Sequence, residues 1–178
     1  MSNTDLDSEE AIKRMREEPD YDRIKSEVLT LLADNRDIVL ATSSKNRVTA
    51  RTVSFTSKDL DIYFLSWEHN KKIEQIKENP NVALTLRNVQ IEGIAEVLGW
   101  AFNKEHKEIG DLFRAKFSPK WFDTFSEIKE MVLVKITPEK IVKFENIYKR
   151  FQFQNFDLKN KKVYQMRIED KDNPNFPY

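Results

Sequence analysis

The sequence predicts a mainly β protein with α-helices (α+β), built as a small antiparallel barrel with helices at its rim. About six or seven short apolar, β-branched runs follow one another with mostly short turns between them, which favours antiparallel neighbours. Three segments have the periodicity of helices with one buried side. The chain has only three glycines and neither a dinucleotide-binding fingerprint nor a phosphate-binding P-loop, which disfavours nucleotide folds of those types.

The composition of the 178 residues narrows the functional class. Thirty basic residues balance thirty acidic ones, so the net charge of zero gives no general attraction to nucleic acid or to an anionic membrane. The absence of cysteine removes disulfides, thiolate metal sites and cysteine nucleophiles, and fits a cytoplasmic location. The two histidines, His69 and His106, are far apart in the sequence, which disfavours a histidine-based metal site. No apolar run approaches the ~20 residues of a membrane-spanning helix, and the acidic, polar N-terminus is not a secretory signal.

The chain is expected to form one domain over residues 20–168, between a charged arm (1–19) and a tail (169–178) that contains two prolines. The domain opens with a helix after Pro19. Its apolar positions fall on a single stripe. These positions are Ile24, Val28, Leu31 and Leu32.

Two predicted strands follow, at residues 38–42 and 48–55. Side chains alternate along a strand, so Arg51 shares a face with Val53 and Phe55. An arginine at such a position either packs its stem along the core edge with its head in water, or serves as a buried partner for an anion. The alternation leaves both interpretations open.

The stretch 61–93 is the centre of the prediction. A strand at 62–66 precedes a helix that Asn70 caps and that ends at Asn79-Pro80, and a strand at 82–86 follows. Lys71 and Lys72 fall in the first turn of this helix, where unpaired N–H groups already make the helix end positive. Either a phosphate binds at this helix end, or both lysines simply point into water.

The remaining chain predicts a strand at 89–98, a helix at 103–117, strands at 131–136 and 140–148 separated by Pro138, and a last hairpin around residues 159–162. Gly93 inside a strand indicates a bulge or a close approach by another group. An aromatic cluster after the helix is either core or a lid over a flat ligand. It consists of Trp121, Phe122 and Phe125.

Four segments in this order carry a resemblance to a known family. They read A-R-T-V-S-F (50–55), F-L-S-W-E-H-N-K-K-I-E-Q-I-K-E-N-P-N-V-A-L (64–84), R-N-V-Q-I-E-G (87–93), and W-F-D (121–123) with M-V-L-V-K-I-T-P-E-K-I (131–141). Over about residues 38–144 the chain resembles the FMN-binding split barrels related to pyridoxamine 5'-phosphate oxidase, and within them the small general-stress-protein branch. The resemblance implies a six- to seven-stranded antiparallel split barrel with flanking helices.

The resemblance also implies an FMN site. Arg51, Lys71 and Lys72 match positions that contact the FMN phosphate. The strand 52–54 matches one whose backbone runs beside the flavin ring, and Asn88 matches a glutamine near the ring. The cofactor-binding residues implied in this way are Arg51, Thr52, Val53, Ser54, Leu65, Ser66, Lys71, Lys72, Asn88 and Trp121. The resemblance also implies a homodimer with FMN at the subunit interface. We therefore expect residues of a second chain, Trp121 for example, to complete each site.

The departures from the family restrict what the resemblance implies about activity. The oxidase's Arg-Leu-His-Asp-Arg substrate motif is absent after Phe144, and Thr56 stands where the oxidase has a lysine that also touches substrate. The family therefore implies an FMN-dependent oxidoreductase that acts on an unknown small molecule, with no identified catalytic residue. The alternative is a flavin-binding or tetrapyrrole-binding protein for storage, sensing or stress protection without turnover. A third interpretation is an interaction protein whose flavin site has decayed.

Overall fold

A computed structural model describes residues 19–147 and 150–167 of the chain. The strands there are β1 (Asp37–Ser44), β2 (Arg47–Lys58), β3 (Asp61–Trp67), β4 (Asn81–Leu86), β5 (Val89–Trp100), β6 (Met131–Ile147), β7 (Arg150–Asp157) and β8 (Lys162–Arg167). The helices are α1 (Tyr21–Asp34), α2 (Lys71–Glu78), α3 (Lys107–Lys116) and α4 (Pro119–Asp123), with a 3-10 turn at Lys104–His106. The predicted arm, apart from Pro19, and the predicted tail lie outside the described residues, as does Tyr148.

The strands form an antiparallel barrel, as predicted. The sheet order is β3-β2-β1-β4-β5-β6-β7-β8, and a further pairing of β3 with β6 closes the first six strands into a barrel. Strands β7 and β8 extend the sheet beyond the barrel and form the predicted C-terminal hairpin. The structure thus has a closed six-stranded barrel, two extra strands and flanking helices.

Two apolar clusters hold these elements together. The main core fills the barrel with the inward side chains of the strands and the apolar stripe of α1, including Ile24, Val28 and Phe55, all of them fully buried. The second cluster packs α3 and α4 against the outward side chains of β3 and β6, such as Tyr63 and Leu133. Burial of these faces supplies the main stabilisation of the fold, because apolar area removed from water contributes roughly 25 cal/mol per Å².

The prediction that Pro138 interrupts a strand is wrong. Strand β6 runs without a break from Met131 to Ile147, and Pro138 lies opposite Gly93 of β5. The register between the two strands shifts at Glu92/Gly93, which is the bulge that Gly93 indicated. A proline lacks the N–H that a regular ladder requires, so an irregular point of pairing accommodates it.

The C-terminal hairpin is joined to α1 by polar contacts. Lys143 of β6, which is only 8% exposed, binds Glu27 of α1 and Glu145 of its own strand. Gln152 of β7 also donates to Glu145, with Nε2 2.8 Å from Oε2. Lys143 and Glu145, on either side of Phe144, thus connect the hairpin to α1.

Candidate functional site

Arg51 lies at one end of the barrel, on the inward face of β2 as the alternation predicted. Its Nη1 donates to the Thr42 hydroxyl at 2.5 Å and lies 3.4 Å from the carbonyl oxygen of Leu40. Its Nη2 donates to Gln75 Oε1 at 3.3 Å. The half-buried guanidinium is therefore anchored by neutral oxygen atoms.

A buried polar network surrounds Arg51. Gln75 of α2 accepts a hydrogen bond from the Thr42 hydroxyl at 2.8 Å, and its Nε2 donates to Thr49 Oγ1 at 3.2 Å. Thr42 and Thr49 are paired directly across β1 and β2, so both face into the same end of the barrel. Thr42 and Gln75 are almost completely buried, at 1% and 2% exposure.

The start of α2 places a second cation, Lys72, near this network. Lys72 Nζ donates to the buried Ser66 hydroxyl at 3.1 Å, and the Asn70 side-chain amide donates to the same oxygen at 3.3 Å. Asn70 occupies the N-cap position, but its side chain does not cap the helix. In the first helical turn the Ile73 N–H donates to the Asn70 carbonyl at 2.8 Å, whereas the N–H groups of Lys71 and Lys72 have no backbone acceptor among the described residues.

The site holds two partly buried cations, Arg51 and Lys72, whose charges disfavour each other. Burial, together with the positive charge of Arg51, lowers the pKa of Lys72, and burial also lowers the pKa of Arg51. Among residues 19–147 and 150–167, no carboxylate forms an ion pair with either side chain. Two cations are therefore held near each other without a compensating charge, an arrangement that a bound anion would stabilise.

Ser66 and Lys72 are close enough to suggest a nucleophile and its base, but their environment argues against that pairing. The Ser66 hydroxyl is 3% exposed, accepts from Lys72 and Asn70, and donates to the Trp67 carbonyl at 3.2 Å. All of its hydrogen-bonding capacity is thereby used. The geometry suits an anion-binding site better than nucleophilic catalysis.

The other residues that the sequence assigned to the cofactor site have different surroundings. Val53 packs in the core, Thr52 is exposed on the outer face of the barrel, and Ser54 donates to Asp37 at 2.6 Å. Leu65 packs against the second apolar cluster. Lys71 is exposed at the first residue of α2.

Two predicted residues are not brought to the Arg51 network within one chain. Asn88 lies in the β4–β5 turn, where it exchanges hydrogen bonds with the backbone of Phe144 at 2.7 and 2.8 Å. The β-ladder pairs Arg51 through Leu40 with Leu84, whereas Asn88 lies beyond the end of β4 at Leu86, in the turn to β5. Trp121 packs in the aromatic cluster, with its ring centroid 4.5 Å from that of Phe117.

The sequence did not identify three members of the site. Thr42 and Thr49 follow Ile38 and Leu40 on the inward positions of the β1–β2 hairpin, so their polarity at the end of an apolar series was a usable signal. Gln75 stands between Ile73 and Ile76 on a helix with one apolar side. Its burial depends on how α2 packs against the barrel, and the local sequence does not specify that packing.

Comparisons with known proteins agree on one family. A family model described as pyridoxamine 5'-phosphate oxidase matches residues 24–144. General stress protein 26 of Bacillus subtilis (strain 168) is 31% identical over 122 residues, which cover 66% of this chain and 86% of that protein.

Solved structures extend the likeness at the level of the fold. Campylobacter jejuni ChuZ superposes with a TM-score of 0.73 at 17% identity, over 93% of this chain and 72% of its own. A pyridoxamine 5'-phosphate oxidase-related, FMN-binding protein of Nostoc punctiforme PCC 73102 has a TM-score of 0.53 at 14% identity, over 80% and 94% of the two chains. HutZ, the heme storage protein of Vibrio cholerae, has a TM-score of 0.56 at 13% identity, over 65% and 91%. Proteins of this fold thus include one named for FMN and another named for heme.

The described ranges contain no helix that could cross a membrane and no cluster of metal-ligating side chains. None of the helices in residues 19–147 and 150–167 is long and apolar enough to span a bilayer. The same residues contain no group of three or more histidine, aspartate or glutamate side chains that could hold a metal ion.

Proposed function

The chain belongs to the pyridoxamine 5'-phosphate oxidase family, and from this membership and the geometry of the site we propose that it binds FMN and acts as a flavin-dependent oxidoreductase on a small molecule. One observation carries the proposal. Arg51 and Lys72, each bonded to buried polar side chains, lie near each other at the start of α2 without a carboxylate partner in the described part of the chain.

The donor set suits a phosphate monoester. Arg51, Lys72 and the backbone N–H groups of the first two residues of α2 supply positive charge and hydrogen-bond donors, and Lys71 adds an exposed cation at the helix start. The acceptors Thr42, Ser66 and Gln75 are already engaged with protein donors, so they need not face the ligand. This arrangement stabilises a dianion more than a neutral group.

The activity follows from the cofactor rather than from a catalytic side chain. Bound FMN supplies redox chemistry by exchanging a hydride or electron pair with a small molecule. The chain's residues bind the phosphate and orient the cofactor. Thr56, in place of the oxidase's substrate lysine, is 3% exposed, and Glu145, in the segment after Phe144, is bound by Lys143 and Gln152 of the same chain. Both features support a substrate other than the oxidase's vitamin.

The first test is the visible spectrum of the purified protein after incubation with FMN and desalting. We expect a retained flavin spectrum, much weaker retention of riboflavin, which lacks the phosphate, and bleaching on addition of a nicotinamide nucleotide. A flavin that binds but is not reduced would favour a storage or sensing role. Heme retained in place of FMN, or no cofactor at all, would contradict the proposal.

We also propose that the protein is a homodimer through the outer face of β1, β2 and β4. Val39 and Val48 on this face are 38% and 69% exposed, so apolar surface on these strands is open to solvent. Ala41 lies between Ala50 and Ala83 at its centre, and these positions carry no charge. Uncharged sheet faces of this kind suit a self-complementary interface. Thr52, which matches the family's flavin strand, is on the same face, so the interface is proposed to adjoin the cofactor.

Ala50→Glu is expected to convert the dimer to a monomer, because it would place like charges on both sides of a two-fold interface and bury a carboxylate. Sedimentation velocity should show the wild type at twice the 21.1 kDa chain mass and the variant at that mass. Ser26→Glu, on the exposed side of α1, is the matched control and should stay dimeric. A wild-type monomer at micromolar concentration, or a dimeric Ala50→Glu, would contradict this interface.

A further inference from the structure

Gln75 is an unusual residue for the inner side of a helix. Its side chain is 2% exposed and lies between Ile73 and Ile76, both of which are buried. A buried amide is unfavourable unless its oxygen and nitrogen are hydrogen-bonded. Both are: the oxygen accepts from Thr42 and Arg51, and the nitrogen donates to Thr49.

The direction of these hydrogen bonds fixes the orientation of the amide. A guanidinium can only donate, so the Gln75 atom that faces Arg51 must be the oxygen. The Thr42 hydroxyl accepts from Arg51 and can then donate to the same oxygen. Rotating the amide by a half-turn would place its NH₂ group against the guanidinium and break both contacts. Arg51, Thr42 and Gln75 therefore form a directional chain.

These contacts also determine which N–H donors of Arg51 remain available to a ligand. Of the five N–H donors of a guanidinium, two on Nη1 point to Thr42 and Leu40 and one on Nη2 points to Gln75. The Nε–H and the second Nη2–H have no acceptor in the described residues. The Gln75 oxygen is also neutral, so it holds the guanidinium without cancelling its charge.

We propose that Gln75 is a positioning residue that fixes the Arg51 guanidinium for a phosphate dianion while leaving its charge uncompensated. This inference rests on the proposed function and deepens it. It predicts that glutamate, which has the same size and can accept the same two hydrogen bonds, is a poor substitute. The added carboxylate would form an ion pair with Arg51 and compete with the phosphate.

Two measurements test the role of Gln75. Titration calorimetry with FMN should show at least a tenfold loss of affinity for Gln75→Glu when Arg51 is present, and less than a twofold loss when the same change is made in Arg51→Ala. The coupling is expected because the carboxylate acts through the guanidinium. Equal losses in both backgrounds, or no loss in either, would overturn the proposal.

The second measurement needs no flavin. In the ligand-free protein, separate NMR signals for the two Nη groups of Arg51 report slow rotation of a restrained guanidinium. We expect these signals in the wild type and in Gln75→Glu, and their averaging in Gln75→Met, which fills a similar volume without an amide oxygen. Restrained signals in a folded Gln75→Met would overturn the positioning role. If the wild type binds no FMN, the proposed function fails, and this NMR comparison still decides the role of Gln75.

Discussion

Replacing both Arg51 and Lys72 with alanine is expected to abolish FMN binding while the barrel stays folded. Hydrogen bonds to charged groups contribute roughly 1.5–3 kcal/mol each, so the loss of two should weaken binding by about 10²- to 10⁴-fold. The fold should tolerate the change because both side chains have lowered pKa values, which means that the folded state holds their charges at a cost. Titration calorimetry gives the affinity, and circular dichroism gives the fold.

A matched control separates this site from general charge effects. Arg47→Ala with Lys77→Ala removes one arginine from β2 and one lysine from α2, as the test variant does, but at exposed positions. Its FMN affinity should equal that of the wild type. Riboflavin, without the phosphate, should bind the test variant and the wild type equally. Native circular dichroism with unchanged FMN affinity in the Arg51/Lys72 variant would contradict the phosphate assignment.

Helical periodicity distinguishes the environments of Lys71 and Lys72. Both lysines fall in the first turn of α2, and the resemblance assigns both to the phosphate. Lys72 is half-buried, because it lies three residues before Gln75 and four before Ile76, on the buried side of the helix. The spacing already indicated this difference, and of the two lysines only Lys72 has a hydrogen bond to Ser66.

The inward face of β2 could be predicted because alternation is a local property of the chain. Arg51 and Val53 do share the face that the two-residue period assigns to them. The pair of strands that closes the predicted barrel could not be identified from the same pattern. Closure requires β3 to pair with β6, which is some 70 residues away, and apolar periodicity does not specify a pairing partner.

Pro138 failed as a strand terminator for a related reason. The rule that proline ends a strand rests on a missing N–H in a regular ladder. Here the opposing strand is itself irregular at Gly93, so the ladder has a point where that N–H is not needed. Each residue was a local signal of disruption. Together they form one irregular point in the pairing of β5 with β6, and β6 continues as a strand past it.

Gly93→Ala is expected to destabilise the protein by about 2–4 kcal/mol, the upper range for an overpacked interior position. A Cβ at this position would overlap the carbonyl oxygen of Thr137 and lie 3.1 Å from the Pro138 Cα. Both are backbone atoms, which cannot move aside as a side chain can. Gly93 is also paired on its other side with Val82 of β4, so β5 cannot shift away without breaking that ladder. Urea unfolding followed by circular dichroism measures the loss.

Gly110→Ala supplies the contrast that identifies the cause. Gly110 is as buried as Gly93, but a Cβ there would meet the ring of Phe122 at 3.3 Å and the Arg114 guanidinium at 3.4 Å, both of them side-chain groups. Alanine is also favoured over glycine inside a helix by about 1 kcal/mol, which offsets a small displacement of the ring. We therefore expect the free energy of unfolding of Gly110→Ala to lie within about 1 kcal/mol of the wild-type value. Equal midpoints for the two variants would mean that β6 can bow away from β5 at Pro138, and that the close approach of these strands does not hold the barrel closed.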